Sequence, residues 1–215
     1  MRRFLAVLLF LALPVLACAP RTAPPAQPPM TYSAAGPLDA TVALVDDQDR
    51  AYCAGTWVGP EKILTASHCL IDSDTDQVAT SVHVRTYTGV IFTAPVVKVL
   101  RRADLGLLSA PHPHAWAPLA DSWTRGEELT IIGHPNREEW TWMRGWVSRG
   151  LVHGSPEDPG DMQMLQVQAP IWYGNSGGGA FNSLGQLVGV CSMRASQVPD
   201  LGLFVAPGEI VAFLA

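Results

Sequence analysis

Three short segments of this 215-residue chain carry side chains able to do nucleophilic and acid–base chemistry. In Gly174-Asn175-Ser176-Gly177-Gly178-Gly179, glycines on both sides allow a tight turn and a close approach of backbone to a bound molecule. A serine held there presents its hydroxyl as a nucleophile while neighbouring N–H groups face a developing oxyanion. Such a serine needs a base. Thr65-Ala66-Ser67-His68-Cys69 supplies one, at the end of the apolar run that begins at Lys62. The base needs an orienting group, and Asp104 offers it from within Ala103-Asp104-Leu105-Gly106-Leu107-Leu108. A carboxylate in such a run is costly unless hydrogen-bonded, and a histidine ring N–H provides that bond. Singly, each segment also reads as ordinary structure: a glycine-rich turn, a structural histidine, a turn aspartate. Together, in the order His68, Asp104, Ser176, they specify a catalytic triad.

The elements that must position these groups are β-strands. Short β-rich runs separated by turn residues recur along the chain: 41–45, 55–58, 62–65, 81–87, 96–100, 129–132, 145–148, 164–168, 187–191 and 203–205. That spacing predicts an all-β sandwich or barrel. Only 207–214 reads as a helix, short and terminal, with Pro207 near its start. The segment Ala110-Pro111-His112-Pro113-His114 and Pro118 cannot form a central strand. It is read as a connector between lobes at about 38–109 and 120–215. His112 and His114 lack further ligands and are read as solvated residues on that connector.

Composition narrows the function classes. A 48% hydrophobic and 15% charged chain has the material for a core. Its net charge of −5 argues against nucleic acid as a partner. Met1-Arg2-Arg3, the apolar run Phe4–Leu13 and the small residues around Ala17 have the order of a secretory signal. The expected organisation is a signal at 1–17, a proline-rich tether at 18–37 and a catalytic domain at 38–215. Val15-Leu16-Ala17-Cys18 resembles the lipobox of bacterial lipoproteins, while Ala17-Cys18-Ala19 also fits an ordinary cut after Ala19. The otherwise unpaired Cys18 favours lipidation and membrane anchoring in the cell envelope over simple secretion. Loss of 1–17 removes Arg2 and Arg3, leaving 12 basic against 19 acidic residues and a formal charge of about −7.

Chain order separates two enzyme classes. The segment around Ser176 also fits the G-x-S-x-G elbow of α/β hydrolases, whose histidine follows the serine. All six histidines here (68, 83, 112, 114, 134 and 153) precede Ser176. The observed order is that of chymotrypsin-like enzymes. Cys53-Ala54-Gly55-Thr56-Trp57-Val58 with Ile63 to Cys69 resembles the His region of trypsin/chymotrypsin-like serine proteases, which commonly have Ala where Ser67 stands. Gly174 to Gly178, Ile132-Gly133-His134-Pro135 and Gly145-Trp146-Val147-Ser148 resemble the bacterial HtrA and glutamyl-endopeptidase-like branches. The 39 residues after Ser176 are too few for an appended PDZ domain.

The resemblance implies two antiparallel six-stranded β-barrels with a short C-terminal helix. It implies a monomeric serine endopeptidase of protein or peptide substrates that needs no cofactor and no metal. His68 and Asp104 would come from the first barrel and Ser176 from the second. It further implies an oxyanion hole at Gly174, Asn175 and Ser176 and a Cys53–Cys69 disulfide. Cys191, in an apolar run without an evident partner, reads as a small buried hydrophobe. Asn175 stands where the digestive branch has Asp, so no activation cut is expected. The primary pocket is assigned to Ala169, Pro170, Ile171, Trp172, Ser192, Met193 and Arg194. Pro170 stands where trypsin has its acid, which argues against cleavage after Lys or Arg. Small or medium apolar residues are expected, or acidic ones if Arg194 or His153 reaches the pocket. Trp140, Trp142 and Trp146, beside Glu138 and Glu139, are read as core in preference to the wall of an extended substrate cleft. The rival functions are a catalytically inactive peptide-binding relative and an esterase using the same triad.

Overall fold

A computed structural model describes residues 36–110, 115–153, 162–194 and 198–215. The proposed signal, Cys18, all but the end of the tether, and His112 and His114 lie outside the described residues.

The chain folds into two closed antiparallel barrels of six strands each. The first contains β1 (Thr41–Val45), β2 (Ala51–Gly59), β3 (Lys62–Thr65), β4 (Ser81–Thr86), β5 (Ile91–Leu100) and β6 (Leu105–Ser109), in the spatial order β1-β2-β3-β6-β5-β4. The second contains β7 (Glu128–Gly133), β8 (Thr141–His153), β9 (Met162–Gln168), β10 (Gly179–Phe181), β11 (Leu187–Arg194) and β12 (Leu201–Val205), in the order β10-β11-β12-β9-β8-β7. Pairing of β1 with β4, and of β10 with β7, closes each sheet. Closure removes the exposed strand edges that an open sheet would present.

Strand composition explains which faces turn inward. β1 is buried along its whole length, as its Thr-Val-Ala-Leu-Val sequence allows. β8 alternates instead: Met143, Gly145 and Val147 face the barrel interior, and Trp142, Arg144 and Trp146 face out. Trp142 and Trp146 therefore do not belong to the core as expected. The period-two pleat gives their interior places to smaller residues. Trp140 precedes the strand and is half-buried against Ala43, Val45 and Ala51 of the first barrel.

The barrels share buried surface. Phe181, Leu187, Val190 and Val205 of the second pack with Trp57, Ile63, Leu64 and Leu108 of the first. The helix α1 (Pro207–Leu214) adds Ile210 and Phe213 to that cluster. Lys98 on β5 donates from Nζ to the Phe213 carbonyl at 2.7 Å, placing a cation at the helix C-terminus.

Candidate active site

His68 lies in a single 3₁₀ turn, Ser67–Leu70, directly after β3. The turn is covalently held, because Cys69 is bonded to Cys53 on β2. Asp104 follows a second short turn, Arg101–Ala103, in the left-handed region at φ 49°, and its N–H returns to the Arg101 carbonyl. Aspartate tolerates this conformation better than most residues. The Ser67 N–H donates to the Asp104 carbonyl at 3.2 Å, so the two turns are tied together through backbone.

The carboxylate of Asp104 accepts four donors. His68 Nδ1 lies 2.9 and 3.0 Å from its two oxygens, and the His68 N–H lies 3.1 Å from Oδ1. The Ser67 hydroxyl donates to Oδ1 at 3.0 Å and the Ser192 hydroxyl to Oδ2 at 2.6 Å. With Nδ1–H given to Asp104, Nε2 of a neutral His68 is the unprotonated nitrogen. The Asp104 hydrogen bond raises the pKa of His68 above its ordinary value, more than burial lowers it. Burial alone would raise the Asp104 carboxyl. The His68 hydrogen bond and charge, with Ser192, hold it below the usual carboxylate range.

Ser176 is brought to the same place by the meeting of the barrels. Its carbonyl accepts the Ala54 N–H of β2 at 2.8 Å. The next residue, Gly177, has φ +82°, and a Cβ there would lie 2.2 Å from the Ala54 carbonyl and 2.3 Å from Thr65 Oγ1. Only glycine fits. His68, Asp104 and Ser176 line one cavity of about 390 Å³, together with Ile171, Trp172, Tyr173 and the end of β11.

The loop before Ser176 is set from below. Gly174 has φ +97°, and a Cβ there would meet the His134 carbonyl at 2.1 Å. The Tyr173 carbonyl accepts the Asn136 N–H at 2.7 Å, and the Gly174 carbonyl accepts the His134 N–H at 3.3 Å. Because C=O and N–H point opposite ways across a trans peptide, the Gly174 N–H is directed away from the Pro135–Arg137 turn. Among the described residues, neither it nor the Ser176 N–H is hydrogen-bonded to another backbone group.

Several assignments made from sequence change. The Asn175 N–H is bonded to the Trp172 carbonyl at 3.1 Å, and its side chain is buried against the Met143 sulfur. Asn175 therefore supports the loop and offers no donor to an oxyanion. Ala169 is buried in the core of the second barrel and Pro170 is exposed, and neither lines the cavity. The backbone at Ala169, bonded to the Asp200 carbonyl, turns its methyl inward. Ser192 does line the cavity, but its hydroxyl is committed to Asp104, a role that sequence did not reveal. Ile171, Trp172, Met193 and Arg194 line it, together with Tyr173. The side chain of His153 lies outside the described residues. Cys191 is buried, and burial drives its thiol pKa strongly upward, so it is an inert core residue. The one cluster of metal-ligand types among the described residues is Cys53, His68 and Cys69, whose sulfurs are spent on the disulfide.

A family model for the trypsin-like peptidase domain matches residues 53–190. Serine protease Rv3671c of Mycobacterium tuberculosis is 25% identical over 170 residues, covering 75% of this chain and 41% of that protein. Serine protease Do-like HtrB of Bacillus subtilis is 28% identical over 183 residues, covering 79% and 36%. The chain thus spans about two fifths of the length of these relatives. In fold it is similar to the crystal structure of Rv3671c protease in its active form, with a TM-score of 0.70 at 21% identity, covering 82% of this chain and 80% of that one. It is also similar to an HtrA-type protease, AlgW, bound to a tripeptide, with a TM-score of 0.67 at 18% identity, covering 82% and 59%.

Proposed function

The chain belongs to the trypsin-like peptidase domain family, and from that premise we propose that it is a serine endopeptidase acting through His68, Asp104 and Ser176. The observation that carries the reading is the grip of Asp104 on His68 Nδ1, at 2.9 Å, inside the cavity that Ser176 also lines.

In the proposed cycle, Ser176 Oγ attacks the scissile carbonyl carbon while His68 Nε2 takes the hydroxyl proton. The carbonyl oxygen gains the charge and is met by the N–H groups of Gly174 and Ser176. Collapse of the tetrahedral adduct breaks the C–N bond, and His68 returns the proton to the leaving amine. Water then attacks the acyl-enzyme through the same base, freeing the acid and restoring Ser176. Asp104 keeps its negative charge throughout and steadies the imidazolium. Because the pKa of His68 is raised, kcat/KM should reach half its maximum above a pH of about 6.5.

The sequence supports export: residues 1–17 would be a signal and 18–37 a tether, with Cys18 as the lipidated first residue of an envelope-anchored protein. Among the described residues no helix is long and apolar enough to cross a membrane.

Treatment of the purified protein with a fluorophosphonate probe, beside Ser176→Ala, tests the chemistry, and a peptide library tests the substrate. Labelling that requires Ser176, with peptide cleavage, is expected. Labelling with ester turnover but no peptide cleavage would make the protein an esterase. A folded protein that does not label would be an inactive peptide-binding relative.

A further inference from the structure

The cavity beside Ser176 has two walls. Ile171, Trp172 and Tyr173 form one, and Ser192, Met193 and Arg194 at the end of β11 form the other. Three of its lining residues can carry charge: His68, Asp104 and Arg194. Asp104 is committed to His68, Ser67 and Ser192. Arg194 has no such commitment. Its guanidinium carbon lies 4.6 Å from the Trp172 ring centre and 5.4 Å from that of Tyr173. Among the described residues no carboxylate pairs with it. Stacking on aromatic faces uses the flat of the guanidinium and leaves its edge N–H donors available, fixed in direction at little entropic cost.

We propose that Arg194 selects substrates that present a carboxylate side chain, aspartate or glutamate, on the residue that donates the scissile carbonyl. The proposal rests on the endopeptidase reading and names the substrate class of the same site. A carboxylate meets the guanidinium edge through two parallel hydrogen bonds, and the apolar Ile171, Trp172 and Met193 beside it strengthen the pairing. A lysine or arginine in that place would face a like charge. A neutral glutamine of the same shape would keep the packing and lose the charge. Of the two expectations drawn from sequence, this takes the acidic one, which was conditional on Arg194 reaching the pocket, over the small or medium apolar one.

The test uses peptides identical except at that residue, with Glu, Asp, Gln, Leu or Lys, and reads kcat/KM at a pH where His68 is neutral. A charge-assisted hydrogen bond predicts a preference for Glu or Asp over Gln of roughly tenfold to a hundredfold. In Arg194→Gln the ratio should fall to about one, and Arg194→Lys should keep part of it because the charge remains but the flat fork is lost. Thermal melting checks that both variants stay folded. Equal or faster cleavage after Gln or Leu in the unaltered protein overturns the proposal, as does an acidic preference that survives Arg194→Gln. So does fluorophosphonate labelling at Ser176 without cleavage of any acidic peptide. Failure of both labelling and cleavage would remove the endopeptidase reading first, and the specificity with it.

Discussion

His68 and His134 both lie beside the junction between the barrels, one after the third strand of the first (β3) and one after the first strand of the second (β7). Each is associated with a short 3₁₀ turn. Their fates are opposite. The His68 side chain is half exposed, with one nitrogen on a carboxylate. His134 is fully buried, and its ring nitrogens meet backbone groups. The Trp140 N–H donates to His134 Nδ1 at 3.1 Å, so that nitrogen carries no proton. Nε2–H is then left to donate to the Val42 carbonyl on β1 at 3.3 Å. The ring also meets the Trp140 edge, with centroids 4.7 Å apart. The same residue type after a β-strand takes the role of the proposed base where a carboxylate and solvent meet it. Where burial and backbone meet it, it becomes a clamp between barrels and under the loop that carries Gly174.

The two loops are also held by different means, and removing the covalent one should have the largest effect on stability. The Cys53–Cys69 bond closes a loop with a sequence separation of 16. Replacing both cysteines by serine should cost about 3 kcal/mol. For a domain of this size the melting temperature should fall by roughly 6–12 °C, read by calorimetry. Unchanged melting would mean that the Asp104 network alone holds the His68 turn. The double variant should keep a measurable fluorophosphonate reaction, since the sulfur nearest Ser176, that of Cys69, lies 3.9 Å from its carbonyl oxygen and serves no step of the proposed chemistry.

The second test separates the histidines by sign. Burial lowers the pKa of His134 to about 4, against about 6.5 in an unfolded chain. Between those values the unfolded chain binds a proton that the native state refuses, so stability falls as pH drops. From a pH of about 6.5 to 5, above the carboxylate range, that loss should reach about 2 kcal/mol. His68 acts the other way. Its pKa is raised in the fold, so its contribution is complete below a pH of about 6.5 and fades as pH rises through the folded value. Denaturant unfolding across this range should show the acid slope in the unaltered protein and a flatter one in His134→Gln. An equal slope in both would place the titrating group elsewhere.

How much of this was legible depended on the range of the interactions. The proposed triad could be suggested from sequence because three local contexts arrive in a fixed order, and the strands 41–45 and 62–65 and the helix 207–214 match their expected bounds. β10 is three residues long and glycine-led, too short to carry a period. Ser192 donates to a carboxylate 88 residues away, which no spacing rule reports. His134 was visible within Ile132-Gly133-His134-Pro135, yet its partner Val42 lies 92 residues away in the other barrel. Trp142 and Trp146 were misread because hydrophobicity was weighed without the pleat of β8, which alternates inside and out.

Ser67 gives the smallest effect and the finest probe of the His68 side of the comparison. The departure from the usual alanine was legible, but its meaning needed Asp104 beside it. Its hydroxyl bonds Asp104 Oδ1 at 3.0 Å, the oxygen that also meets His68 N–H and Nδ1. Each extra donor draws charge from that oxygen and weakens its hold on a protonated His68. In Ser67→Ala the carboxylate should grip the imidazolium more strongly, and the pKa of His68 should rise further. A hydrogen bond worth about 1 kcal/mol, shared among several acceptor contacts, corresponds to a shift of a few tenths of a unit. The acid limb of kcat/KM should move up by that amount, while the rate on the alkaline plateau changes by less than about threefold. A limb that stays fixed, or moves down, would mean that the hydroxyl only fills space beside Asp104. The two histidines would then differ through Asp104 and burial alone.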